Sequence, residues 1–145
     1  MKKILPFLIL ILAFNPLIGA DWTTNYQAAL AQAKAQNKLV LLDFTGSDWC
    51  PPCQLLDKEV FSTSSFKDFA GRNFITVTID FPVNKKLPPA LTRQNDQLQQ
   101  QFKIVGNPTL IVVDANGKER GRILGYDHGS GPDVVIKKLQ NYLQK

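Results

Sequence analysis

Cys50 and Cys53 are the only cysteines in the 145-residue chain, and two prolines, Pro51 and Pro52, separate them. Two sulfurs at this spacing can form a reversible disulfide or share a soft metal ion. A purely structural staple is a poor explanation, because closing so short a loop stabilises the chain by only about 1.9 kcal/mol. The pair follows an apolar run and precedes a stretch fit for a helix. At a helix N-terminus, unpaired N–H groups and the positive end of the dipole stabilise a thiolate. Cys50 is then the exposed, attacking sulfur. Cys53, almost one turn inside, is the more buried sulfur that resolves a mixed disulfide. Pro51 and Pro52 remove two donors and no histidine lies between the cysteines, so the drop in the Cys50 pKa is expected to be moderate.

The elements that must hold this pair follow from periodicity. Thr24 with Gln27 reads as a capping box, opening a helix whose Tyr26, Leu30 and Ala33 share a face and which ends near Asn37. Leu39 to Phe44, broken only by Asp43, reads as a strand buried on both faces. A helix is predicted from Cys50 toward Val60, with the prolines tolerated in its first turn, and a short one around Ser65 to Ala70. Phe74 to Asp80 is a strand, and Pro82 to Ala90 is a loop. Thr92 to Phe102 is a helix with Leu91, Leu98 and Phe102 toward the core. Leu110 to Val113 and Arg120 to Leu124 form a hairpin, with Asn116-Gly117 as a type I′ turn signal. Ser130-Gly131-Pro132-Asp133 opens a last helix that buries Val135, Leu139, Tyr142 and Leu143. Right-handed crossovers then give a sheet with parallel inner strands, extended by the antiparallel hairpin.

Trp49-Cys50-Pro51-Pro52-Cys53 after a buried strand, with Val105-Gly106-Asn107-Pro108-Thr109 before a later one, resembles the thioredoxin superfamily. Asp43-Phe44-Thr45-Gly46-Ser47-Asp48-Trp49-Cys50 is similar to exported bacterial thioredoxin-like proteins. The resemblance implies an α/β thioredoxin fold with a central mixed sheet of about four to five strands, covered by helices on both faces. It further implies a cis peptide bond at Pro108, with Pro108 packed beside the two sulfurs and the Asn107 backbone pairing with an extended substrate. Trp49 would shield the disulfide and contribute substrate surface. By the same resemblance Asp43 takes the proton of Cys53. Burial among Leu39 to Leu42 should raise its pKa. The link from Asp43 to Cys50 is one residue longer than in thioredoxin, and Thr76 stands where a lysine usually partners that aspartate. The plainer reading of Asp43 is an acid closing a strand. His128, the single histidine, reads as a solvated loop residue, and Asp48 as a surface acid.

The chain opens with Lys2, Lys3 and an apolar run from Ile4 to Phe14, ending in small residues at Gly19 and Ala20. These features make residues 1–20 a secretory signal peptide, cut after Ala20, and residues 21–145 a single thioredoxin-like domain. An uncleaved anchor is the alternative, but Asn15 and Pro16 interrupt the run. Without the leader, 15 basic and 12 acidic residues remain, a net charge of +3 that is scattered. A nucleic-acid role has no support in this pattern.

The function expected is therefore an exported, periplasmic thiol:disulfide oxidoreductase, soluble after cleavage and monomeric, that reduces protein disulfides or relays electrons to them. In an oxidising compartment it needs a membrane-side electron donor, and its substrates are exported proteins with disulfides or thiols. A thiol oxidase or disulfide isomerase would use the same residues at a higher potential. A metal-delivery module would use the two thiolates on an ion such as Cu(I), although one distant histidine cannot complete a zinc site. No cofactor and no resident metal is called for.

Overall fold

A computed structural model describes residues 19–144. The expected leader lies outside these residues except for Gly19 and Ala20. Among the described residues no helix is long and apolar enough to cross a membrane. The chain runs α1 (Tyr26–Gln36), β1 (Leu39–Thr45), α2 (Pro51–Leu56), a π-helical turn (Asp57–Phe61), α3 (Ser64–Asn73), β2 (Phe74–Asp80), α4 (Pro89–Gln101), β3 (Thr109–Val113), β4 (Glu119–Leu124) and α5 (Gly131–Leu143).

The four strands lie in the order β2-β1-β3-β4. β1 pairs parallel with β2 and antiparallel with β3, and β3 pairs antiparallel with β4. The two inner strands, β1 and β3, are thus antiparallel, which corrects the expectation of parallel inner strands. The parallel pair instead sits at the β2 side. That edge is partly covered by Thr23, whose N–H and carbonyl bond to the Thr76 carbonyl and the Thr78 N–H at 2.9 and 2.8 Å.

Side chains alternate across a strand, and β1 distributes them between two cores. Val40, Leu42 and Phe44 face α1 and α4, where they meet Ala29, Ala33 and Leu98. Leu41 faces the opposite layer, with Leu56, Phe66 and Leu139 from α2, α3 and α5. Helices therefore cover both faces of the sheet. Phe44 is fully buried and meets Phe102 edge-on at 6.1 Å; removing such a ring costs about 3–5 kcal/mol. By the same alternation Asp43 shares the face of Leu41, the face over which α2 lies.

Local chemistry fixes the boundaries. The cap of α1 is Asn25 rather than Thr24: the Ala28 N–H donates to Asn25 Oδ1 at 2.9 Å. The side chain one residue nearer the helix reaches the free amide, so the capping box is not used. Asn37 closes α1 in the left-handed region, at φ 52°. α4 begins at Pro89, three residues earlier than predicted, because proline is well suited to the first helical turn. The hairpin turn is not type I′. Asn116 keeps a negative φ and only Gly117 is positive, at 80°. Asp114 Oδ1 accepts the Asn116 and Lys118 N–H groups, organising a longer loop closed by Gly117.

Candidate functional site

The turn between β1 and α2 presents the cysteines. The Cys50 N–H donates to the Gly46 carbonyl at 2.9 Å, and the Trp49 N–H reaches the same oxygen at 3.3 Å. Cys50 then caps α2 in an extended conformation, with prolines in the first turn and no side-chain cap. Cys50 and Cys53 are joined as a disulfide, their Cα atoms 5.3 Å apart. Their exposures are 3% and 4%. Cys50 is therefore as buried as Cys53, contrary to the division into an exposed and a covered sulfur. Spacing along the chain does not contain this burial.

Each of the three residues before Cys50 is tied to the last residue of β2 or to the segment after it. The Ser47 N–H and hydroxyl donate to Asp80 Oδ1 and Oδ2, at 2.9 and 2.6 Å. Asp48 accepts the Val83 and Asn84 N–H groups, one on each oxygen, at 2.9 and 2.8 Å. These bonds, chiefly that from Val83, hold the Asp48 carboxyl below its usual range. Trp49 Nε1–H donates to the Phe81 carbonyl at 2.8 Å while the ring stays about half exposed. Asp48 is thus a loop clamp as well as a surface acid.

Asp43 and Cys53 line one cavity of about 230 Å³, together with Thr45, Thr78, Gln54 and Asp57. Asp43 is 7% exposed, and its Oδ1 has no hydrogen-bond partner among the described residues. Burial, followed by the like charges of Asp57 and Asp80, pushes its pKa up to about 8. The strand partner of Asp43 is Thr78, not Thr76. Thr76 lies opposite Leu41 and donates to the Asp21 carbonyl, so it is not the residue facing the acid. The register, which no single strand encodes, decides this.

The Asn107–Pro108 peptide bond is cis. Pro108 is buried, and its carbonyl accepts the Gly125 N–H at 2.9 Å. Asn107 Oδ1 is buried without a partner among the described residues. Outside the ladders, no hydrogen bond among the described residues engages the Asn107 N–H or carbonyl. His128 is exposed, and its Nε2 lies 3.1 Å from Glu59, which also accepts from the Tyr126 hydroxyl and the Gly129 N–H. It sits in a loop strapped to the π-helical turn.

Sequence reasoning missed Asp57, Asp80 and Thr78. Asp57 was open to discovery, since it stands four residues beyond Cys53 and thus one helical turn further on. Asp80 and Thr78 become neighbours of the site only through strand pairing. Among the described residues no group of three or more histidine, cysteine or acidic side chains converges as a metal centre.

The family described as a thioredoxin-like domain matches residues 26–139. The chain is 37% identical over 125 residues to the disulfide bond reductase DsbH of Chlamydia pneumoniae, covering 85% of this chain and 74% of that protein. It is 28% identical over 125 residues to the thiol:disulfide interchange protein DsbD of Campylobacter jejuni, but spans only 19% of that protein's length. Among solved structures, a DsbH oxidoreductase superposes with a TM-score of 0.79 at 33% identity, covering 90% of each chain.

Proposed function

Because this chain belongs to the thioredoxin-like domain family and is a thiol:disulfide oxidoreductase, we propose that it works outside the cytoplasm as a reductant of protein disulfides. The observation that carries the direction is the lining of the cavity at Cys53. Asp43 and Asp57 contribute acids to it, and among the described residues no lysine, arginine or histidine lines it. A thiolate there gains no charge partner, which favours the disulfide over the dithiol and so a low reduction potential. The name of the DsbH relative, a disulfide bond reductase, agrees with this direction.

The Cys50 thiolate attacks one sulfur of a partner's disulfide. The partner's S–S bond breaks, its other sulfur leaves as a thiolate that takes up a proton, and a mixed disulfide to Cys50 remains. Cys53 then gives its proton to Asp43 and attacks the Cys50 sulfur, expelling the partner's second thiolate. The net result is transfer of two electrons to the partner, whose two thiolates take up protons from solvent, while the Cys50–Cys53 disulfide forms and the Cys53 proton passes to Asp43. With its pKa near 8 in the disulfide form, Asp43 keeps the proton it has received at neutral pH. Trp49, Asn107 and Pro108 form the substrate face, and the free Asn107 backbone groups suit an extended chain.

A thiol donor at the membrane returns the protein to its reduced form, and residues 1–20 direct export, with a mature N-terminus at Asp21. N-terminal sequencing of the exported protein tests the latter. The direction is tested by equilibrating Cys50 and Cys53 with a glutathione buffer. A potential of about −200 to −270 mV is expected; a value above about −160 mV overturns the reductant reading in favour of an oxidase or isomerase.

A further inference from the structure

Residues 81–88, between β2 and α4, form one wall of a second cavity of about 560 Å³, and α4 forms the other. Its apolar lining includes Phe81, Pro82 and Leu87, while Lys86 and Arg93 stand exposed at its rim. Neither cation has an ion-pair partner among the described residues. The other charges in the lining are Lys85, Asp80 and Asp96. Asp80 is paired in place, accepting from Ser47 and lying 3.4 Å from Lys85 Nζ. That leaves two free cations against the single acid Asp96.

The groove is preorganised and joined to the redox site. Its wall is the segment that Asp48 and Trp49 hold by hydrogen bonds immediately before Cys50, while Ser47 holds Asp80 at its start. From the other side Asn95 Nδ2, buried in α4, donates to the Asp80 carbonyl at 2.9 Å. Val83, fixed by its N–H to Asp48, is 74% exposed beside the groove. A chain bound at the dithiol can continue into this groove, and a rigid wall limits the ordering cost of binding it.

We propose that this groove is a docking site for the segment flanking the reactive disulfide of a substrate protein, and that it selects segments pairing an apolar residue with a carboxylate. The apolar side chain enters between Phe81 and Leu87, and the carboxylate meets Lys86 and Arg93. The link to substrate choice rests on the oxidoreductase function proposed above, but binding in the groove does not.

The test uses the disulfide form of the full domain and fluorescein-labelled, cysteine-free peptides that differ only in carrying Leu-Glu, Leu-Gln or Leu-Lys. Fluorescence anisotropy should give the tightest binding to the Leu-Glu peptide, by about twofold to fivefold over Leu-Gln at low salt. The Leu-Lys peptide should bind weakest, and the differences should shrink as salt screens the rim. A Lys86→Glu, Arg93→Glu double variant, altered only at exposed positions, should reverse the order. Equal affinities for the three peptides, or an unchanged order in the double variant, would overturn the groove proposal. Reduction of 2-hydroxyethyl disulfide by the pre-reduced protein reports on Cys50 and Cys53 separately. Loss of that reaction counts against the redox function alone, whereas the peptide order decides the groove.

Discussion

Asp43 and Cys53 line the same cavity, one from the middle of β1 and the other from the first turn of α2. The alternation of β1 places Asp43 on the α2 side, so a strand that is otherwise apolar delivers one acid beneath the disulfide. An acid there is costly when ionised. In the proposed mechanism, proton exchange with Cys53 gives that cost a use.

Asp43 should make the protein's stability fall as pH rises. Its folded pKa of about 8 lies above the ordinary value of 3.8. Between these limits the folded state holds a proton that the unfolded state has lost, so stability declines by up to about 1.4 kcal/mol per pH unit and levels off above pH 8. Asp43→Asn removes this dependence. In urea unfolding the variant should match the native protein near pH 4 and exceed it near pH 8. Parallel stability curves for the two proteins would contradict the burial of a titrating acid.

The same variant should resolve mixed disulfides more slowly, by about tenfold or more near neutral pH, since Cys53 loses its proton acceptor. Quenched-flow trapping of the mixed disulfide measures this. An unchanged rate between about pH 6 and 9, where thiols titrate, would leave Asp43 as a strand residue only.

The two sulfurs should divide the work despite their equal burial. Cys50→Ser is expected to abolish exchange, and Cys53→Ser to accumulate mixed disulfides through Cys50, seen on non-reducing gels. Partners trapped through Cys53 in the Cys50→Ser protein would reverse the assignment.

Gly46 should prove sensitive even to alanine. A Cβ at this position would lie 2.3 Å from the Trp49 ring. The ring would have to move, breaking its bond to the Phe81 carbonyl. Gly46→Ala is expected to cost about 1–3 kcal/mol and to shift the tryptophan emission. It should also slow exchange with protein disulfides more than with small ones. Unchanged emission and melting temperature would show that the turn has room to spare.

What the sequence determined by itself was whatever depends on neighbours along the chain. Cys50 and Cys53 at the start of a helix, the buried strand before them, and the apolar run of β2 follow from spacing, proline placement and periodicity. The helix caps were within reach too, and the Thr24-for-Asn25 error is a choice between adjacent side chains competing for the same amide. The tertiary structure decided what depends on residues distant in the chain. Strand direction and register made β1 antiparallel to β3 and put Thr78 rather than Thr76 opposite Asp43. Long-range hydrogen bonds tied Ser47, Asp48 and Trp49 to residues 80–84, more than thirty positions away. The burial of Cys50 and the groove beside it likewise exist only once the chain has folded back on itself. A strand's alternation states which residues share a face, but it is silent on which partner strand that face will meet. That choice is made by the packing of the whole sheet between its two helical layers.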